Sequence, residues 1–334
     1  RDLRTHCLRL AHRNSVAELP FRVRRIFRSG RKRLQSVHGR LIIGGGLAAF
    51  GYYLGRAAGY LESARKAYQL FEACEPRPAT MLCIYRASNR ASVTGLVGQA
   101  QQRGMNIALW ALDNPLPELS AYTVGCGPGS RMDLLNRLWQ AVACDDCDQL
   151  VIADDDISFT RGSLDQLLRA AITCEFGIAQ PAHDWTSMSS YSINRRRPFL
   201  LARQTSFVEP GPVFVVTQPW IDQVVPFPEN FGMGWGLWVL WLKLQAKGCK
   251  LGIIDCVTVN HPSPVGREYA SARRVESHRL RSLLHEQGFQ EPRDAQKTLG
   301  AWKMGEPIPP WRSGDQFIEH RIGAANICED SVER

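Results

Sequence analysis

The sequence predicts an α/β fold, a mixed and mostly parallel sheet flanked by helices, preceded by a basic helical arm. Three observations carry that expectation. From residue 80 onward, short apolar runs alternate with stretches whose apolar residues recur at helical spacing. One of those runs, residues 149–153, leads straight into Asp154-Asp155-Asp156. The charge is also uneven: residues 1–40 hold 12 Lys and Arg against 2 Asp and Glu, a net of +10, whereas the other 294 residues hold 29 against 30.

The elements follow in order. Residues 1–75 read as the arm, a glycine-rich apolar piece (41–55) and a helix through Leu61 to Cys74 that Pro76 and Pro78 terminate. Residues 81–85 are apolar and short, hence a buried strand. Val93, Leu96, Val97 and Ala100 share one face of a helix over 92–103. Residues 107–112 and 122–124 give two more strands, and Leu134, Leu135, Leu138 and Val142 mark another helical stripe. Ser163 with Gln166 forms a capping box for a helix whose inner face is Leu164, Leu167, Leu168 and Ala171. Residues 176–179 and 213–216 are expected as strands, with a polar loop over 184–203 between them. Leu237, Leu240, Trp241 and Leu244 define a helix face, residues 251–259 a final strand, and 269–287 a last helix before a tail. Helices between short apolar strands imply parallel pairing with right-handed crossovers. The expected division is therefore arm (1–75), α/β domain (76–265) and C-terminal helix with tail (266–334).

The chain of 334 residues, 44% apolar and 22% charged, is globular in composition; collagen, disordered and disulfide-stapled classes are excluded. The overall charge of +9 resides in the arm, so it is no argument for a nucleic-acid-binding body. Aromatic interleaving in the arm is confined to Phe21 and Phe27, so nucleic-acid recognition is not expected. The arm is suited to an anionic membrane surface, with residues 41–55 as its apolar partner. That segment falls short of the ~20 residues a span requires. A helix packed on the body, an interfacial anchor and the apolar part of a late signal sequence stay open for it. Cys144 and Cys147 make the one C-x-x-C pair; with no second ligand pair nearby, packed free thiols are expected among the ten cysteines. Thiols suit a reducing compartment. A cytoplasmic or peripheral-membrane location follows as the expectation.

The chemistry centres on Asp154 and Asp156. A buried strand delivers this D-x-D to its C-terminal end, the edge where open α/β sheets bind ligands. Two carboxylates there suit a hard divalent cation, Mn2+ or Mg2+, with a nucleotide diphosphate completing its ligands. Such a cation would neutralise charge on a departing diphosphate.

These features resemble the nucleotide-sugar glycosyltransferases of the GT-A fold, over about residues 79–265. Residues 81–86 are similar to the family's first strand, whose end meets the nucleotide base. Gly127-Pro128-Gly129-Ser130-Arg131 with Asn136 resembles the segment that precedes the D-x-D strand, and Gly234-Trp235-Gly236 the acceptor-side Gly-Trp segment. His261 falls where many members place a third metal ligand. More narrowly, Gln180-Pro181-Ala182, Phe207-Val208-Glu209 and Pro212-Val213-Phe214 look like a little-characterised GT-A-like family of plant and bacterial proteins.

The resemblance implies transfer of a hexose-like sugar from a nucleotide-diphosphate sugar to a hydroxyl on a glycan, lipid or protein. Asp154, Asp156 and His261 would hold the metal; Arg131, Asn136, Asp154 and Asp155 would serve the nucleotide side. Gly234, Trp235 and Gly236 would form the substrate pocket, with Trp235 as its floor. In several relatives an acidic residue follows the Gly-Trp segment, but here the stretch reads Leu237-Trp238. An inverting reaction would then need another base. Asp184, Glu209, Asp222 and Glu229 are candidates; Glu209 is preferred, with Asp184 next. Two alternatives stay open: a nucleotide-sugar-binding protein without catalysis, and a nucleotidyltransferase using the same aspartates. The latter predicts a glycine-rich loop after the first strand, and residues 86–90 contain no glycine. Arg195-Arg196-Arg197 reads as a surface loop.

Overall fold

A computed structural model of the chain describes residues 65, 68–142, 146–263, 270–304 and 306. The basic arm, the apolar segment 41–55, Cys144 and the tail beyond 306 lie outside the described residues. All described residues belong to one unit, residues 60–334.

Helical turns at 68–73 lead into β1 (Ala79–Tyr85). Helix α1 (Arg90–Gln102), β2 (Asn106–Ala111), β3 (Thr123–Cys126), α2 (Arg131–Val142) and β4 (Gln149–Asp154) follow. Next come β5 (Ser158–Arg161), α3 (Leu164–Thr173), β6 (Ile178–His183), β7 (Leu200–Thr205) and β8 (Val213–Thr217). The chain continues through α4 (Ile221–Val224), α5 (Trp238–Ala246), β9 (Leu251–Asn260), α6 (Ala270–Glu286), α7 (Pro292–Ala295) and β10 (Thr298–Lys303).

The strands form one mixed sheet in the order β10-β7-β9-β6-β8-β4-β1-β2-β3, with β5 pairing β9 off that path. The β4-β1-β2-β3 half is parallel throughout, and the β6–β9 pair is parallel as well. β8 runs antiparallel between β4 and β6, and β7 and β10 complete the far side antiparallel.

Both faces of the sheet are covered, which is why its central strands read as continuous apolar runs. Alternate residues of β1 go to opposite faces: Met81, Cys83 and Tyr85 join the core beneath α1 and α3, and Leu82 joins the one beneath α2 and α5. The expected helix faces are the buried ones: Val93, Leu96, Val97 and Ala100 in α1, and Leu134, Leu135 and Leu138 in α2. Ser163 caps α3 by accepting the Gln166 N–H at 3.2 Å, worth about 1 kcal/mol.

Three strands depart from the expected pattern. β7 lies inside the segment expected as a polar loop, because its central Arg203 is turned inward: its side chain is 1% exposed against 0% for Asp255, with Nε–Oδ2 at 2.7 Å. A buried ion pair inverts the polarity pattern that marks a strand. β5 and β10 are short, and most of their residues lie at least partly open to solvent, so they carry little apolar signal; β10 nonetheless adds a sheet edge within the stretch expected as a tail. Asp255 sits where the β6–β9 register shifts between Pro181 and Ala182, and it also accepts the Arg197 N–H at 2.7 Å. The pair thereby fastens the 193–197 segment, whose Ile193 and Arg195 carbonyls accept from Arg203. The seven described cysteines are free thiols, five of them buried.

Candidate functional site

A cavity of about 350 Å³ opens at the C-terminal ends of β1 and β4, lined among others by Arg86, Arg131, Asp154, Asp156, Glu209 and His261. Parallel pairing explains the location: β1 and β4 lie in register, Ile84 beside Asp154, so both strands discharge their chains at one edge.

Each aspartate of the triplet has a different partner. Asp154 ends β4; its Oδ1 accepts from Arg131 Nη2 at 2.8 Å and Nε at 3.0 Å, and its Oδ2 faces Gly211, where a Cβ would come to 3.2 Å. Arg131 stands in the first turn of α2 and also donates to the Pro210 carbonyl at 2.9 Å. Asp155 is buried and accepts the Arg86 N–H at 2.6 Å, tying the β4 edge to the end of β1. Burial pushes its carboxyl up to about 6, against the opposing pull of Arg86 N–H and Asn89. Asp156 Oδ2 lies 3.2 Å from His261 Nε2. Burial pushes Asp156 up, yet the His261 imidazole outweighs it and holds the carboxyl below its usual range. For His261 burial pulls down, and Asp156, backed by Asp154 and Glu209, raises it overall.

Glu209 follows β7 and lines the cavity. Its N–H donates to Gln180 Oε1 at 2.5 Å and its Oε2 accepts from Asn194 Nδ2. Burial of the carboxyl pushes it up to about 8; His261, Asn194 and Arg131 pull the other way.

The 232–236 segment is shaped from two sides. The Met132 N–H donates to the Gly232 carbonyl at 2.9 Å from the start of α2. From α6, Glu276 accepts the Met233 N–H at 2.8 Å on Oε1 and the Trp235 N–H at 2.9 Å on Oε2. Trp235 is half-buried and lines the cavity. Gly234 has φ +97°, a conformation that side chains resist, and a Cβ there would meet Met132 Cε at 2.7 Å.

Five expected residues lie outside the cavity lining. Asn136 does not line the cavity: its amide clamps the backbone of Phe227, donating to the carbonyl at 2.8 Å and accepting the N–H at 2.7 Å. Asp184 points away; its Oδ1 takes the Trp185 N–H at 2.6 Å, a local turn that its short side chain favours. Asp222 and Glu229 are exposed and outside the cavity lining. Gly236 (φ +93°) serves packing, since a Cβ would lie 3.3 Å from Leu280 Cβ of α6.

Sequence reasoning missed three residues. Glu276 lies in a polar helix with nothing to distinguish it from surface acids. Asn194 lies in the segment expected as a loop. His183 directly follows the Gln180-Pro181-Ala182 match, so its position was within reach of that signal.

A mixed sheet covered by helices on both faces, with an acidic strand end at one edge, is the Rossmann-like α/β architecture expected from the sequence. No family model matches the chain, and no curated protein matches it. Among solved structures the chain is similar to GalNAc-T7 in its crystal structure with UDP, GalNAc and Mn2+: identity is 10%, over 63% of this chain and 51% of that chain, with a TM-score of 0.42. The match thus spans about half the length of GalNAc-T7. It is also similar to S. aureus TarS 1-349, at 7% identity over 63% of this chain and 68% of that chain, TM-score 0.41. The complex of TarS 1-349 with UDP-GlcNAc matches at 7% identity over 63% and 70%, TM-score 0.40.

Proposed function

We propose that this protein transfers a sugar from a nucleotide-diphosphate sugar to a hydroxyl acceptor, with a divalent cation at its acidic edge. The observation that carries the reading is one cavity lined by Asp154, Asp156 and His261 together with Glu209, whose carboxyl burial pushes up to about 8.

Among the described residues no three His, Cys, Asp or Glu side chains converge as a ready metal cluster. The donor chemistry nevertheless suits a hard or borderline cation such as Mn2+ or Mg2+. Asp156 and His261 already adjoin through Oδ2 and Nε2, and Asp154 keeps Oδ2 beside the bare Gly211. These three residues would hold the ion, which when bound would neutralise the charge gathering on the leaving diphosphate.

The chain's own groups supply the rest. Arg131, which now balances Asp154, presents a planar guanidinium equally suited to phosphate oxygens. Trp235, held by the clasp of Glu276 on its N–H, offers an aromatic face to a sugar ring. Glu209, oriented by Asn194, in its ionised form accepts the proton of the acceptor hydroxyl while that oxygen bonds the anomeric carbon and the bond to the diphosphate breaks, an inverting displacement. The absence of a carboxylate after the Gly-Trp-Gly segment supports that assignment: Leu237 and Trp238 are both 1% exposed and packed in the core.

That same absence favours a second reading, donor binding without turnover. Calorimetry with UDP- and GDP-sugars, with and without Mn2+, followed by a donor-hydrolysis assay, separates the two. We expect Mn2+-dependent binding and slow hydrolysis by wild type, both lost in Asp156→Ala. Binding without hydrolysis or transfer would favour the second reading, and no nucleotide binding at all would sink both.

A further inference from the structure

We propose that His183 holds a hydroxyl of the transferred sugar through its Nε2, an inference that rests on the nucleotide-sugar reading above. The residue ends β6, is 1% exposed and lines the cavity, yet its Nε2 is buried without a hydrogen-bond partner among the described residues. The remainder of the ring is committed. Nδ1 lies 2.9 Å from Ser187 Oγ and 3.2 Å from the Met188 carbonyl, and the His183 carbonyl accepts the Arg196 N–H at 3.0 Å. The ring is therefore pinned by its far side and presents one unused polar atom. A buried polar atom of this kind costs stability unless a partner reaches it.

Position identifies which part of the donor arrives there. In the parallel β6–β9 register His183 lies beside Val259, two residues before His261. Ser187 Oγ, which contacts His183 Nδ1, also accepts the His261 N–H at 3.0 Å. Through Ser187 the ring is thus joined to His261 of the pair assigned to cation and diphosphate, and both histidines line the one cavity. The group attached to that diphosphate is the sugar.

Chemistry selects a hydroxyl. Desolvation and the neighbouring His261 lower the imidazole to about 4, so it is neutral at physiological pH. A neutral Nε2 either donates or accepts one hydrogen bond according to the tautomer that Ser187 and Met188 set. A hydroxyl answers either state, whereas a phosphate oxygen answers the donor state alone.

The test compares wild type, His183→Asn and His183→Gln by calorimetry in Mn2+, with UDP and UDP-hexoses and with the GDP series. Asn keeps an amide near the Nδ1 position and has nothing at Nε2; Gln reaches the Nε2 position. We expect His183→Asn to bind the bare nucleotide as wild type does and its sugar conjugate about fivefold more weakly, with His183→Gln retaining most of the sugar-dependent affinity. Equal loss for nucleotide and conjugate would assign His183 to the cation or the fold instead, and unchanged affinity for the conjugate would also overturn the inference. Should the Asn variant not fold, the His183 Nε2 nitrogen shift in wild type is read by NMR. It moves with the conjugate and not with the bare nucleotide if the inference holds, and an unchanged shift overturns it. Failure of wild type to bind any nucleotide is a different result, which removes the functional reading itself.

Discussion

Glu209 is where local environment matters most. Its carboxyl is raised from 4.5 to about 8, so between those values the folded state binds a proton that the unfolded chain has released. The stability this contributes is fully present below about 4.5 and is lost as pH rises through about 8. Chemical denaturation across that window therefore shows wild type losing stability with rising pH relative to Glu209→Gln, whose side chain has no charge to acquire. Parallel curves for the two proteins would contradict the assignment. In catalysis the same substitution removes the proton acceptor while leaving donor contacts in place. The expected result is a 10²–10⁴-fold lower kcat with the donor KM little changed. Asn194→Ala, which frees the carboxyl without deleting it, lowers kcat by a smaller factor in the same assay.

At the scale of elements, two clasps set the cavity's shape. Glu276 joins α6 to the 233–235 segment through two backbone N–H groups, and a Cβ on Gly232 would clash with the same carboxylate. Its replacement by Ala leaves those donors without their acceptor, at a cost of about 1–3 kcal/mol. Hydrogen exchange at Met233 and Trp235 accelerates as a result, and the acceptor KM rises more than the donor KM. The second clasp is the Arg203–Asp255 pair between β7 and β9. Both side chains are at most 1% exposed, so loss of one partner strands a charge in the core. Asp255→Ala is expected to cost about 3–5 kcal/mol by urea denaturation, with the 193–197 segment, and so Asn194, released from its anchor. Neither clasp is visible in the sequence, because each joins residues distant along the chain: 276 with 233–235, and 203 with 255.

For the whole molecule, the charge separates from the chemistry. The net of +10 in residues 1–40 precedes a remainder of −1, and every cavity residue lies in the unit spanning residues 60–334. Among the described residues no helix is long and apolar enough to cross a membrane. A chain lacking residues 1–40 is expected to bind nucleotide-sugar as the full chain does, while losing affinity for phosphatidylserine vesicles at low salt. Equal vesicle binding by the two proteins would separate the arm from membrane association.

The sequence by itself determined the βα alternation from β1 to β4, the helix faces of α1 and α2, and α3 with its Ser163 cap, because apolar period and end chemistry are local properties. It also located Asp154–Asp156 at a strand end, since an apolar run that stops at three carboxylates can be read without a fold. The tertiary structure alone decided what those carboxylates meet. Asp154 pairs with Arg131, Asp155 with the end of β1, and Asp156 with His261, 105 positions further along the chain. It alone placed Asn136, Asp184 and Gly236 outside the cavity lining, brought His183 into it, and set Asn194 and Glu276 behind Glu209 and the 233–235 backbone. A residue's type fixes which bonds it can form. Which of them it forms depends on partners that only the closed sheet brings within reach, and on burial that only the packed core imposes.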